Sequence, residues 1–221
     1  MTALRTTGYV GIAGVIVFAG AVLILHMVQP GLDPRDEAVS YYVHGPFGWV
    51  LTVGLMSLGI GSMSLVFGLV PLVEGRWGAA GRWLMGVWGL GVLLGGVFPA
   101  DPPGHWNEPP SLAGMIHGNA AMLAFLALPL GALCLAKSLR QGQRWRPQGN
   151  LFLGLAVAAA ISLVLFMASL APVFVRPGPP VLLGLSERAL LATYAAWLVA
   201  VGIGIVKQAD KAQGYGTVAA R

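Results

Sequence analysis

Six runs of predominantly apolar residues, at 9–29, 47–73, 83–99, 111–136, 151–174 and 189–206, alternate with short connectors rich in proline, glycine and charge. Each is close to the roughly 20 apolar residues that a helix needs to cross a hydrocarbon core. Unpaired backbone groups are costly in lipid, so such runs form helices, and the lack of residue-by-residue alternation excludes a β-barrel. The pattern therefore predicts an all-α fold. One domain, residues 1–221, forms a compact bundle of six transmembrane helices and leaves almost nothing for a soluble domain.

Two internal patterns predict how the helices pack. In the second run Gly54, Ser57, Gly61, Ser64 and Gly68 recur at spacings of three and four, drawing a stripe of small residues down one face. Such stripes let helix backbones approach closely in lipid; Leu65, off the stripe, is expected to face lipid. The fourth run repeats the spacing with Gly114, His117, Ala121 and Ala124, and Gly114 with Gly118 forms GxxxG. His117 should therefore face other helices.

Composition and charge sharpen this picture. The chain is 57% hydrophobic and 10% charged, with a mean hydropathy of +0.77, where a soluble domain carries about a quarter charged residues. The formal charge of +5 is scattered over connectors, which argues against nucleic acid and makes membrane lipid the expected partner. With both termini cytoplasmic, Arg5, Arg76, Arg82, Lys137, Arg140, Arg144, Arg146, Lys207, Lys211 and Arg221 lie inside, ten residues against Arg35, Arg176 and Arg188 outside. The positive-inside rule selects that orientation, in the inner (plasma) membrane of a bacterium. The first run lacks a convincing cleavage site and is expected to remain as a span. A single cysteine, Cys134, permits no intramolecular disulfide. Trp49, Trp77, Trp83, Trp106 and Trp197 are expected as interfacial anchors, and Pro102-Pro103-Gly104 and Pro177-Gly178-Pro179-Pro180 as rigid turns.

Candidate chemistry gathers on the outer face. All four histidines, His26, His44, His105 and His117, fall there, with most of the acidic residues. Asp36, Ser40 and His44 are spaced by four and share a face if that segment is α-helical. Asp36, Ser40, His44, Asp101 and His117 thus form the candidate catalytic cluster, roles unassigned, with His117 as the inner wall of one pocket. A structural alternative has Arg35 or Arg188 pairing with Asp36 or Asp101. Three functional readings compete. His44 and His117, with Asp36 or Asp101, could bind zinc and hydrolyse a lipid ester or amide. His26 and His117 could ligate a b-type haem. Or the acidic mouth could serve a carrier of a lipid or cationic solute.

The segment from Asp36-x-x-x-Ser40-Tyr41 to Gly45-Pro46-Phe47-Gly48-Trp49 carries a resemblance, as do Phe98-Pro99-x-Asp101-Pro102, Met115-Ile116-His117-Gly118 and Glu187-Arg188 before the sixth run. In these features the chain, from about Val10 to Val206, resembles the bacterial integral-membrane family catalogued as domain of unknown function 998. The resemblance implies six spans and no settled activity. A looser analogy with membrane hydrolases related to alkaline ceramidases suits the zinc reading. Those proteins usually have seven spans and a paired-histidine motif near the C-terminus, and the sixth run here has no histidine, so no ligand carries over.

Overall fold

The computed structural model describes residues 2–104, 108–142, 145–175 and 180–219. Its long helices are α1 (Thr2–Val28), α2 (Gly48–Leu69), α3 (Gly75–Val97), α4 (Leu112–Gln141), α5 (Gly149–Val175) and α6 (Leu183–Ala219). All six are long and apolar enough to cross a membrane. Short 3-10 segments, Val39–His44 and Arg146–Gln148, lie in the α1–α2 and α4–α5 connections. His105, Trp106, Arg144, Arg176, Pro177, Gly178, Pro179 and Arg221 lie outside the described residues.

Three helices begin well before the apolar runs that predicted them, α1 by seven residues. α3 starts eight residues earlier, because the Arg82 guanidinium donates to the Val73 carbonyl and is satisfied within the fold. α6 starts six residues earlier and takes Glu187 and Arg188 into its first two turns, where both find internal partners. Charge marks a helix end in lipid only when it has nothing to bond.

Consecutive helices pack side by side, and α6 packs on α1, closing a ring. The chain ends meet at one end of it, where Arg5 Nε lies 3.6 Å from Asp210 Oδ1. The α1–α2 seam is a close backbone contact. A Cβ added at Gly61 would lie 3.2 Å from Gly14 Cα and from the Gly11 and Val10 carbonyls, so the second-run stripe faces α1. Ser64 Oγ donates to the Thr7 carbonyl at 3.2 Å across the same seam. Leu65 departs from expectation: it is fully buried, because the absent side chain at Gly11 leaves a hole that Leu65 fills.

Pro129 sits inside α4 and lacks the N–H that would bond the Phe125 carbonyl four residues back. Tyr194 of α6 supplies the missing donor, its hydroxyl bonding Phe125 O at 2.6 Å. Trp49 and Trp83 are exposed like interfacial anchors, and Lys137 Nζ lies 4.0 Å from the centroid of the Trp77 ring. Trp197 is different. It is wholly buried in the middle of α6, a core residue and not an anchor.

Candidate functional site

The ring encloses a cavity of about 680 Å³, with wall residues from all six helices and from the 3-10 segment Val39–His44. Its mouth lies between the α1–α2 and α3–α4 connections, at Asp101, Glu108 and Ser111. Its floor is formed by Trp88, Phe125 and Phe166. At 1.5 Å per residue, Trp88 lies about 14 Å from the Val97 end of α3 and Phe125 about 20 Å from the start of α4, so the floor reaches the mid-membrane level. These rings pack edge-on with Tyr194: Phe125 and Phe166 centroids are 5.2 Å apart, Trp88 and Tyr194 5.4 Å. The polar atoms of the cluster are already satisfied, since Trp88 Nε1 donates to Ser62 Oγ at 3.0 Å and the Tyr194 hydroxyl is held by Phe125 O. The floor therefore offers an occupant aromatic and aliphatic surface only.

Polar groups ring the upper half. The Ser111 hydroxyl caps α4 by accepting from Gly114 N at 3.0 Å, and Asp101 Oδ2 accepts from Ser111 N at 3.0 Å. The Asp101 carboxyl rests against the bare Cα of Gly114, where a methyl group would collide with it. His117 lies five residues into α4, and its Nδ1–H donates to Phe98 O at 2.8 Å. Across the cavity Glu187, 6% exposed, accepts from Val39 N at 2.6 Å through Oε2. That bond ties the 3-10 segment to α6. Tyr41 lines the same wall, and burial, reinforced by the charge of Glu187, pushes its hydroxyl up from the ordinary phenol range. It thus stays protonated, a donor at the cavity surface.

Behind this wall Arg188 joins the connections. Its Nε–H donates to His26 Nε2 at 2.9 Å, and Nη1 donates to the Glu37 and Gly184 carbonyls at 2.8 and 2.9 Å. Its Nη2 reaches the Tyr42 hydroxyl at 3.4 Å. Arg188 thus holds neutral acceptors where pairing with Asp36 or Asp101 was expected. His26 is committed at both nitrogens, since Nδ1–H donates to Val22 O at 2.6 Å and Nε2 accepts from Arg188. Both His26 nitrogens are thus engaged within the protein, which lends the haem reading no support.

Of the expected cluster, Ser40, Asp101 and His117 line the cavity, and Asp36 and His44 do not. The spacing argument for Asp36, Ser40 and His44 required α-helix. The structure has a turn at 33–37 followed by 3-10 helix, with three residues per turn, so Ser40 and His44 point about 120° apart. Asp36 is exposed, and His44, also exposed, donates through Nε2–H to Ala100 O at 2.7 Å. Among the described residues no three His, Cys, Asp or Glu side chains gather as a metal site. The zinc reading through His44 and His117 thus finds no third donor among the described residues. Glu187 stood outside the expected cluster because the sixth run was drawn from residue 189. A charged residue inside an apolar helix is itself the signal that could have placed it there.

This architecture defines an integral membrane protein, a closed ring of six helices around a cavity that is apolar below and polar above. The chain belongs to the family described as protein of unknown function (DUF998), whose model matches residues 12–204. No curated protein and no solved structure matches it.

Proposed function

We propose that this protein holds a lipid-like amphiphile in its central cavity, the tail against Trp88, Phe125 and Phe166 and the head among Ser40, Asp101, His117 and Glu187. The observation that carries the reading is the cavity itself: about 680 Å³, apolar at depth, with polar side chains only at one end. Small-molecule sites have this size and this division of labour between apolar walls and a few placed polar groups. The basic asymmetry of ten to three supports cytoplasmic chain ends and a mouth turned away from the cytoplasm. Native mass spectrometry of the detergent-purified protein should find one bound amphiphile per chain, and an alkyl chain brominated near its end should quench Trp88 fluorescence. A chain that carries nothing and is not quenched overturns the reading.

A second reading, chemistry on the bound head, rests on His117. With Nδ1–H fixed on Phe98 O, Nε2 is left as the basic nitrogen, and Ser40 and His117 share a small recess beside the main cavity. His117→Ala should then abolish turnover of an ester or amide amphiphile while leaving its binding intact. Loss of binding and turnover together would reduce His117 to a wall residue.

A further inference from the structure

Three carboxyl groups, those of Asp101, Glu108 and Glu187, lie on the cavity wall, and among the described residues no Lys or Arg does. Glu187 is the confined one. It is 6% exposed, its Oε2 is held by Val39 N, and its Oε1 has no hydrogen-bond partner among the described residues. Glu187 lines the cavity. The adjacent Arg188 does not bond it, because the guanidinium holds His26, Tyr42 and two backbone carbonyls on the far side. A carboxylate buried beside apolar walls, with no Lys or Arg among the described residues hydrogen-bonded to it, is costly unless it takes up a proton or something entering the cavity supplies a cation.

Resting on the proposal that the cavity takes an amphiphile, we infer that the head of its occupant is a protonated amine whose N–H donors meet Glu187 Oε1. Charge-assisted hydrogen bonds of this kind are about twice as strong as neutral ones. Asp101 and Glu108 at the mouth add attraction for a cation approaching from the surface. A phosphate in the head would sit among three carboxyls with no basic side chain on the described wall to receive it. A single-chain amine without phosphate therefore fits better than an aminophospholipid.

The full chain in phosphatidylcholine nanodiscs provides the test, with ω-brominated dodecylamine, dodecanol and dodecanoate as probes of equal length. Trp88 quenching reads occupancy, and Trp88→Phe identifies the quenched ring. The amine should bind about tenfold more tightly than the alcohol, the strength of one hydrogen bond to a charged group, with the carboxylate weakest. Glu187→Gln retains an acceptor for Val39 N and should bring the amine close to the alcohol without changing the alcohol. Equal binding of amine and alcohol in the unaltered protein overturns the inference, as does an undiminished preference in Glu187→Gln. Should that variant not fold, the three-probe series decides alone. Displacement of the bound amine by added phosphatidylethanolamine supports amine recognition and gives its source as a lipid headgroup; no displacement supports a free single-chain amine. If none of the probes quenches Trp88, the amphiphile reading itself has failed, a result distinct from equal quenching by amine and alcohol.

Discussion

Two stripes of small residues run down this molecule and serve opposite ends. On α2, Gly54, Gly61 and Gly68 press against α1, each where an added methyl group would meet Ala21, the Gly11–Gly14 backbone or Thr7. On α4, Gly114, His117, Gly118, Ala121 and Ala124 look into the cavity. The residue types and spacing are nearly the same. In the first stripe the missing side chains let two backbones touch; in the second, Gly114 makes room for the Asp101 carboxyl and the open space beside Gly118 is what a ligand would occupy. A small-residue stripe in lipid thus specifies that a helix face is not for lipid, and the neighbours decide whether it is contact or room.

The largest effects should come from breaking the contact stripe. Leu65→Ala empties the hole over Gly11 and should cost about 2–5 kcal/mol, the range for truncating a fully buried leucine. Gly61→Leu should cost about 1–3 kcal/mol, since it meets backbone atoms of α1 that cannot rotate away. Both are read as lowered thermal stability in detergent. Negligible shifts at the two positions would mean that the seam opens freely, and the contrast between the stripes would fall.

The bundle of six helices was legible because membrane-spanning helices need long apolar runs, and the small-residue seam was legible because its spacing is helical. Leu65 was misplaced, since one residue's distance from a stripe does not reveal that the facing helix has a glycine hole at that height. The site was partly legible. Asp101 lies in the α3–α4 connection and His117 near the start of α4, and chain topology alone brings them to one end of the bundle. The Asp36–Ser40–His44 register failed for a local reason: a four-residue spacing is meaningful in α-helix and misleading in a 3-10 turn. Arg188 and Glu187 were hidden at a helix start drawn too late. Their bonding to backbone groups of the 33–45 segment, 150 residues away, has no local sequence signal at all.

A smaller effect should follow from the aromatic floor, where α4 has lost a backbone bond. Tyr194→Phe leaves Phe125 O without the donor that Pro129 cannot provide, and should cost about 1–2 kcal/mol for a buried acceptor left unpaired. In a Pro129→Ala background the helix can bond Phe125 O itself, and the same tyrosine change should cost measurably less. Additive costs in the double-mutant cycle would show that Tyr194 acts through packing of its ring and not through the repair of α4.

The smallest change in stability, with the sharpest bearing on the two stripes, is expected at Gly118. It lies on the cavity stripe, and a Cβ built there meets nothing within 4 Å. Gly118→Leu should fold with unchanged or slightly raised thermal stability, because replacing a helical glycine recovers up to about 1 kcal/mol of propensity and no backbone stands in the way. Its side chain would nevertheless project into the cavity at the level of His117, across the path by which the proposed tail reaches the floor. Quenching of Trp88 by a brominated alkyl chain should therefore fall well below that of the unaltered protein, while Gly61→Leu, if it folds at all, should leave quenching intact. Stability and occupancy would then separate along the two stripes. A Gly118→Leu protein that is as unstable as Gly61→Leu would make the α4 stripe a packing surface like the other, and one that is stable but fully quenched would place the occupant elsewhere in the cavity.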